Sequence, residues 1–431
     1  MPRFHTVESG HYFYHLTNLN TMRFLLIISV IIFSFSCSQT QQPIEQQDYA
    51  AQAAKLAKEN IIIDGHVDLP FRMVVKGFML KKEVEDVSVE TTGNFDYPKA
   101  KKGGLDAPFM SVYVPSSYQV NGGAKAFADS LIDMVNQVSA EYPTLFASAN
   151  SPSDIKTNFS KGLISLPMGM ENGAPIEDDL GNVKYFAERG IRYITLTHSK
   201  DNQISDSSYD TTYTWNGVSP FGEQVIAEMN KWGIMVDISH VTDSAAFDAL
   251  RLTKAPVIAS HSSCRKFTPG WERNMPDTLI KAMAVNGGVI HINFGSTFLS
   301  QAIQDKREAM SEHMTNWAAE SGLERRDSAY QAYAKAYAEE IDAYADINIV
   351  ADHIDHVVSL VGVDHVGLGS DYDGVGDSLP KGLKDVSTYP NLIEELLKRG
   401  YSEEDIAKIC YKNTFRVWEE VERVASSMQA D

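Results

Sequence analysis

Residues 61–70 read IIIDGHVDLP, and this segment decides how the rest of the chain is interpreted. Three β-branched residues run directly into polar ones, which is typical of a parallel strand that is buried on both faces. Side chains two residues apart along a strand point the same way, so we expect His66 and Asp68 to aim at one point. An imidazole and a carboxylate that meet there could both ligate a divalent metal. A satisfied polar pair at a strand end is the commoner explanation of such a segment taken alone.

Seven further segments share this apolar, β-rich composition, and each is followed by a helical or loop segment. They are residues 106–114, 162–170, 193–197, 233–239, 255–260, 288–294 and 365–370. Eight buried strands that alternate with helical connections predict an α/β fold, a (β/α)8 barrel of the TIM type. Residues 300–350 are rich in Ala, Glu and Lys and lack strand signals, so we predict a helical excursion before the last strand.

Two connections carry clear helix signals. Ser219 and Pro220 suit the N-cap and first position of a helix that Gly233 would end. Ser402 opens a long helical segment with acidic residues in its first turn, where the helix dipole favours them.

The beginning of the chain has the features of an exported lipoprotein. The apolar run 24–36 is shorter than the roughly 20 residues that a membrane-spanning helix needs, and it suits a cleaved signal peptide. Cys37 follows Ser-Phe-Ser as in a bacterial lipobox, so we predict that it is lipidated; an ordinary signal peptide with a chance cysteine is the alternative. We therefore divide the chain into an extension (1–21), a lipoprotein signal peptide (22–36), a tether and lead-in (37–59) and one domain (60–425). The predicted location is the bacterial cell envelope, anchored by lipid and facing the periplasm or the outer membrane.

Charge and cysteine content exclude two further classes of protein. The formal net charge is −19, which argues against nucleic acid as a partner because a phosphate backbone requires a basic patch. Beyond Cys37 only Cys264 and Cys410 remain, so the chain is not a disulfide scaffold. A bridge between these two cysteines is open but has no support in the sequence.

Residue types that ligate metals or move protons follow six of the eight predicted strands. They are His66 and Asp68 after the first strand, Glu171 after the third, His198 after the fourth, His240 after the fifth, His261 after the sixth, and Asp371 and Asp373 after the eighth. The carboxyl ends of barrel strands form one rim, so these side chains are expected to converge. Four imidazoles and four carboxylates exceed the need of one zinc ion. They suit two ions roughly 3.5–4 Å apart that share a carboxylate and a bridging hydroxide, and such a centre hydrolyses its substrate.

Eight motifs, in this order, resemble those of one known family: IDGHVD, MGMENG, LTHS, SPFG, ISHV, SHSS, ERNMPD and GLGSDYDGV. This is the renal or membrane dipeptidase family, metallopeptidases of the amidohydrolase superfamily. The resemblance extends from about residue 61 to the C-terminus. It implies hydrolysis of dipeptides with two Zn2+ per chain, and members of that family often accept a D-residue at the C-terminal position.

The resemblance also implies a role for each site residue. His66 and Asp68 would bind one zinc, Glu171 would bridge both ions, His240 and His261 would bind the second, Asp371 would be the general base, His198 would contact the substrate and stabilise the oxyanion, and Arg273 would grip the C-terminal carboxylate of the dipeptide. A guanidinium pairs bidentately with a carboxylate, which gives the last role a physical basis.

Alternatives stay open at several positions. Asp373 could exchange roles with Asp371, and Asp64 could ligate a metal although a structural role in the strand is favoured. Arg265 is a rival of Arg273 for the substrate carboxylate, and we interpret Arg265 as a solvated loop charge. Arg273 could instead be a surface ion-pair partner.

Two other functions compete with the dipeptidase hypothesis. One is a different amidohydrolase-type reaction, on an N-acyl amide, a lactone or a phosphotriester, because the fold alone does not fix the function. The other is a non-catalytic binding lipoprotein that kept the barrel. The sequence also leaves open whether the chain forms a homodimer and what residues 300–350 do.

Overall fold

The computed structural model describes residues 48–430. The predicted extension, the signal peptide and Cys37 lie outside the described residues, so those hypotheses remain predictions from the sequence. Among residues 48–430, every helix is too short or too polar to cross a membrane.

One large parallel sheet dominates the described structure. The strands are β1 (Ile63–Val67), β2 (Ala107–Tyr113), β3 (Phe146–Ser148), β4 (Ile164–Leu166), β5 (Met168–Glu171), β6 (Ile191–Thr195), β7 (Met235–Asp237), β8 (Ile258–Ser262), β9 (Val289–Ile292) and β10 (Val366–Leu368). Eight of them form the sheet in the order β1-β2-β5-β6-β7-β8-β9-β10, and every neighbouring pair is parallel.

The sheet is closed between its first and last strands. Val67 forms a parallel bridge with Tyr372, just beyond the end of β10. The backbone N–H of Asp68 donates to the carbonyl oxygen of Tyr372 (2.8 Å), and the N–H of Asp371 donates to the carbonyl oxygen of His66 (3.1 Å). The predicted (β/α)8 barrel is thereby confirmed.

One predicted strand is in fact two. The segment 162–170 contains β4, which pairs with β3 in a separate two-stranded sheet, and β5, which belongs to the barrel. Pro167 separates them, because a proline has no N–H to donate to a strand ladder. Its carbonyl oxygen still accepts from the N–H of Met110 in β2 (2.8 Å).

Helices surround the barrel. They are α1 (Tyr49–Glu59), α2 (Leu69–Val75), α3 (Phe78–Lys81), α4 (Tyr97–Gly103), α5 (Ser117–Asn121), α6 (Ala124–Glu141), α7 (Pro152–Ser160), α8 (Gly181–Glu188), α9 (Pro220–Trp232), α10 (Asp243–Leu252), α11 (Asp277–Asn286), α12 (Ser296–Leu299), α13 (Gln301–Ser321), α14 (Ser328–Glu340), α15 (Ile347–Val361), α16 (Tyr389–Lys398), α17 (Glu403–Ala407) and α18 (Asn413–Ala430). The excursion predicted over 300–350 consists mainly of α13 and α14, while α15 returns the chain to the barrel. The segment predicted as tether and lead-in ends in α1.

The predicted helix ends are present. Ser219 caps α9 by accepting from the N–H of Gly222 (2.9 Å), and Gly233 ends the helix with φ +73°. Ser402 forms a capping box with Asp405 at the start of α17. The helical segment predicted after Ser402 continues through one π-helical turn, Lys408–Lys412, into α18.

The amino end of the barrel is sealed by α18. Trp418 is fully buried and its ring centroid lies 5.2 Å from that of Phe109 in β2. It packs in one apolar cluster with the first residues of several strands, among them Ile63, Met235 and Val289. Burying a large apolar side chain of this kind stabilises a fold by about 1.5–3 kcal/mol. Cys264 and Cys410 are both buried free thiols, so the open question of a bridge is answered in the negative.

His353 and His291 make stability sensitive to acid. The Nδ1 of His353 accepts from the N–H of Cys264, and its Nε2 faces the carbonyl oxygen of Leu299 (both 3.0 Å), so the neutral ring satisfies both groups. Burial lowers the pKa of His353 to about 4 and that of His291 to about 4. Because the unfolded chain binds these protons first, stability is full above about pH 6.5 and is lost as the pH falls towards 4.

We therefore expect urea unfolding between pH 7.5 and 4.5 to show a steep loss of stability. His353→Gln should lower the free energy of unfolding at pH 7.5 and reduce its pH dependence by about 1 kcal/mol per pH unit. His291→Gln should reduce the pH dependence by a similar amount. An unchanged slope in both variants would contradict this account.

Candidate metal centre

Glu171, at the end of β5, is the centre of a buried polar cluster. Its Oε1 lies 3.1 Å from Nε2 of His240 and 3.4 Å from Nε2 of His261. The same oxygen lies 3.4 Å from Nε2 of His198. Its Oε2 lies 3.3 Å from Nε2 of His66. The two carboxylate oxygens therefore face different sets of imidazoles.

Two more carboxylates complete the cluster. Asp68 is the N-cap of α2, and its Oδ2 lies 3.4 Å from Nε2 of His66. Ligand atoms of His66, Asp68 and Asp371 lie within 4.8 Å of one another. Asp371 follows β10 in a left-handed conformation (φ +62°), and the side-chain amide of Asn293 donates to its Oδ2 (2.8 Å). Residues from both ends of the chain thus meet at the carboxyl end of the barrel.

Contacts behind the imidazoles fix which nitrogen faces inward. Nδ1 of His66 is hydrogen-bonded to the hydroxyl of Tyr193 (2.8 Å), and Nδ1 of His261 to the hydroxyl of Ser260 (2.8 Å). That hydroxyl in turn donates to Asp237 (2.7 Å). Each ring is held from behind, so its Nε2 points into the cluster, as in metal-binding histidines.

Burial and mutual attraction divide the charges in the cluster. Burial lowers the pKa of His240 and of His261 well below the ordinary value, which keeps both rings neutral. Burial would raise the pKa of Glu171, but His66 and His198 outweigh it and hold that pKa well below the usual range. Burial also opposes a charge on His66, yet Tyr193, Glu171 and Asp68 raise its pKa well above the ordinary value. The environment therefore favours an anionic Glu171 and neutral rings at His240 and His261. These are the protonation states that bind metal ions.

The donor set fits divalent metal ions. Nε2 of His66 is completely buried and has no hydrogen-bond partner, although it points at two carboxylates. Nε2 atoms of His240 and His261 lie 2.8 Å apart, so one ion could contact both rings. Imidazole nitrogens with carboxylate oxygens are the ligands that zinc prefers.

The ligand atoms of the cluster could be shared between two ions in more than one way. The groups whose ligand atoms lie within 4.8 Å are His66 with Glu171 and His261, Glu171 with His198 and His240, and His66 with Asp68 and Asp371. Glu171 belongs to two of these groups, in keeping with a bridging carboxylate. His198 is as close to Glu171 as the predicted ligand His261 is, so its position suits ligation as well as substrate contact.

A cavity of about 410 Å3 opens onto the cluster. Asp68, Glu171, His198, His240, His261 and Asp371 lie at its base, and apolar or aromatic walls are provided by Phe71, Tyr113, Tyr209, Phe298 and Val375. Tyr209 comes from the polar loop after His198, and its ring centroid lies 5.8 Å from that of His240. A small substrate would thus be enclosed by apolar surface and meet the polar groups at one end.

Asp373 and Asp64 have structural partners. Oδ2 of Asp373 pairs with Arg72 (2.5 Å), and Asp373 does not line the cavity as Asp371 does. The exchange of roles considered from a two-residue period is wrong, because Asp371 and Asp373 both have positive φ and do not form a strand. Asp64 accepts from the backbone N–H groups of His66 and Ser370 (both 2.9 Å), which is the favoured structural role.

The two arginines considered for the substrate carboxylate are both engaged with the protein. Arg265 pairs through two nitrogens with Asp243 (both 2.6 Å), so it is neither the carboxylate grip nor a solvated charge. Arg273 is 2% exposed; it donates to Ser262 Oγ (2.9 Å) and to the carbonyl oxygen of His261 (2.8 Å). Its Nη2 also lies 3.0 Å from Nε2 of His240, and its Nε is buried without a partner. The structure thus brings Arg273 to the edge of the cluster and does not place it on the surface.

Sequence reasoning missed several supporting residues. Asn293 directly follows β9, so the rule that marked the other strand ends could have found it. Tyr193 lies inside β6, and no local pattern indicates its contact with His66. Phe298 and Phe71 are likewise apolar residues in helices, and only the closed barrel places them on the cavity wall.

A parallel barrel with imidazoles and carboxylates gathered at its carboxyl-end rim is the architecture of metal-dependent hydrolases. A family model described as membrane dipeptidase, Peptidase family M19, matches residues 50–431. The chain therefore belongs to the membrane dipeptidase family and is a metallopeptidase. The family resemblance drawn from its motifs is confirmed.

Solved structures of similar fold include three bacterial proteins. The probable dipeptidase PvdM from Pseudomonas aeruginosa is 25% identical with a TM-score of 0.72, over 88% of this chain and 99% of that one. A metallo peptidase from Rhodobacter sphaeroides, liganded with a phosphinate mimic of the dipeptide L-Ala-D-Ala, is 23% identical with a TM-score of 0.66, over 84% and 99%. An amidohydrolase from Pseudomonas aeruginosa is 23% identical with a TM-score of 0.65, over 86% and 98%. The last two show likeness of fold alone.

Because Glu171 contacts both sets of imidazoles, its replacement should disturb the whole metal centre. We expect Glu171→Gln, purified without metal and then supplied with zinc, to retain less than about half of the zinc that the wild type retains. Elemental analysis after gel filtration measures this, with circular dichroism to verify folding. Glu308→Gln, on the exposed surface of α13, serves as the control and should bind as the wild type does. Full zinc content in Glu171→Gln would contradict the assignment.

Proposed function

We propose that the protein is a binuclear zinc dipeptidase that hydrolyses the amide bond of dipeptides with a free C-terminal carboxylate. The observation that carries this proposal is the position of Glu171, whose Oε2 faces His66 while its Oε1 faces His240 and His261. A carboxylate shared in this way suits two ions and is more than a single zinc site requires.

In the proposed arrangement His66 and Asp68 hold one zinc, His240 and His261 hold the other, and Glu171 is shared. Zinc bound by these residues would supply Lewis-acid polarisation of the amide carbonyl and a water molecule of lowered pKa. The hydrogen bonds between the Nδ1 atoms of His66 and His261 and the hydroxyls of Tyr193 and Ser260 keep the imidazoles oriented for this task.

Asp371 is the proposed general base. Burial, and next the nearby Asp68, raise the pKa of Asp371 to about 8 in the metal-free protein. A carboxyl group beside the metal ligands can take a proton from water and return it to the leaving group. Asn293 holds Oδ2, which leaves Oδ1 to take a proton from the attacking water and pass it to the leaving amine.

His198 is the proposed oxyanion partner. Burial lowers its pKa, so the ring is neutral and a ring N–H is available as a donor. Its side chain is 19% exposed and lies on the cavity. A neutral N–H group that is already oriented towards the point where negative charge develops stabilises the transition state.

The proposed setting is the cell envelope, with Cys37 as the lipid attachment site. The support is the lipobox-like sequence before Cys37 and the short apolar run that precedes it. Dipeptides with a C-terminal D-residue are included among the proposed substrates. A structural relative was liganded with a mimic of L-Ala-D-Ala, which supports that choice.

One observation favours a second candidate function on the same centre. Two of the nitrogens of Arg273 are already engaged by Ser262 and by the carbonyl oxygen of His261, and the side chain is almost fully buried. A neutral N-acyl amide or lactone needs no carboxylate grip, so such a substrate would tolerate this engagement of Arg273.

We expect the purified protein to hydrolyse L,L- and L,D-dipeptides and to lose this activity with a chelator. Asp371→Asn should lower kcat by about 10²–10⁴-fold at unchanged zinc content, because the base is removed and the ligands remain. Asp305→Asn, an exposed carboxylate on α13, should retain wild-type kcat. A dipeptide library assayed by amine release measures both; absence of turnover on every dipeptide would overturn the proposal.

Arg273→Ala separates the two candidate functions. If Arg273 grips a substrate carboxylate, the variant should raise KM for a dipeptide by about tenfold or more, since a charge-assisted contact is lost. The corresponding dipeptide amide, which lacks the carboxylate, should be hydrolysed equally by variant and wild type. Equal loss on both substrates would assign Arg273 to support of His240 and His261 instead.

A further inference from the structure

The loop that carries Asp371 has an unusual backbone. Asp371 and Asp373 adopt φ values of +62° and +67°. Residues other than glycine rarely adopt this backbone conformation. On one side the loop is attached to the end of β1 by the hydrogen bonds from Asp371 N–H to His66 and from Asp68 N–H to Tyr372. Such a conformation persists only where surrounding contacts hold it.

On its other side the loop is held through the carboxylate of Asp373. Oδ1 accepts from the backbone N–H of Asn94 (2.7 Å), and Oδ2 accepts from that of Phe95 (3.2 Å). The guanidinium of Arg72 donates to the same Oδ2 (2.5 Å). The side chain of Asp373 is 3% exposed, so its charge depends on these partners.

Arg72 connects this loop to two other parts of the rim. Its Nε donates to Glu85 (2.9 Å) and its Nη2 to the carbonyl oxygen of Phe95 (2.8 Å). The guanidinium passes so close to Gly93 that a Cβ there would lie 1.7 Å from Nη1. Arg72 belongs to α2, the helix that Asp68 caps, so one side chain joins the helix of Asp68 to the loop of Asp371.

We propose that Arg72 and Asp373 are positioning residues that hold the carboxylate of Asp371 against Asp68 and His66. The inference rests on the general-base role proposed for Asp371. The strained loop would gain by relaxing, and that relaxation would move Asp371 away from the cluster. The Arg72–Asp373 pair opposes that movement from outside the cavity, because neither residue lines it.

The test compares Arg72→Met, Arg72→Lys and the double variant Arg72→Met/Asp373→Asn. The double variant removes both partners, so Asp373 does not remain as a buried charge without a partner, and it replaces Arg72→Met if that protein does not fold. Arg399→Met is the matched control: Arg399 is a half-buried arginine paired with Asp352, Asp355 and Glu395 on the outer helices. It should lose stability and keep wild-type kcat.

We expect loss of the pair to lower kcat by about 10–100-fold while KM changes less than about threefold and zinc content is unchanged. Arg72→Lys should recover part of kcat, since an ammonium retains the charge but not the fork that contacts Glu85 and Phe95. Hydrogen exchange of residues 366–378, measured on the protein without substrate, should rise by about tenfold or more in the double variant and not in Arg399→Met.

Three other outcomes would contradict either the positioning role or the proposed function. A double variant with kcat within about twofold of wild type, or with exchange of 366–378 unchanged, overturns the positioning role. Zinc loss in parallel with kcat also overturns it, because the pair would then act on the metal ligands. If the wild type turns over no dipeptide, the proposed function fails, and the exchange measurement alone still decides whether the pair holds the loop.

Discussion

Closure of the barrel between its first and last strands is the constraint on which the rest of the structure depends. Val67 and Tyr372 pair across the seam, and the two backbone hydrogen bonds beside them involve Asp68 and Asp371. The contacts that complete the sheet are therefore the contacts that bring the proposed base to the proposed metal ligands. An open sheet would leave the two carboxylates at opposite edges, so fold and site form together.

The assembled site buries anions and imidazoles away from water, so each of these groups requires a stabilising partner. Glu171 meets this requirement by contact with four imidazoles, and Asp371 by the amide of Asn293 and by its raised pKa. The hydrogen bonds behind His66 and His261 are short and buried, so the rings cannot turn to avoid one another. Divalent ions complete such an arrangement, because they replace mutual repulsion among the carboxylates with attraction to a common centre.

The sequence was sufficient to predict the barrel and to identify the residues of its polar rim. Both follow from local composition and from the parallel arrangement of the strands. It was insufficient wherever a contact joins distant segments or the backbone leaves the standard conformations. The break at Pro167 divides a segment that has the composition of a single strand, and the positive φ values after β10 separate Asp371 from Asp373. The partner of Arg265 lies on another helix, which no spacing indicates. The hypotheses about Cys37 rest on the sequence alone.

The floor of the barrel comes from the last helix of the chain. Trp418 and its neighbours in α18 pack against the first residues of strands from β1 to β9, so contacts far apart in sequence complete the core. Topologies dominated by such distant contacts fold slowly. A growing polypeptide would emerge from the ribosome with its opening strands uncovered at this end, and they would stay so until α18 had been synthesised. Truncation of α18 would thus destabilise the whole barrel and not one helix alone.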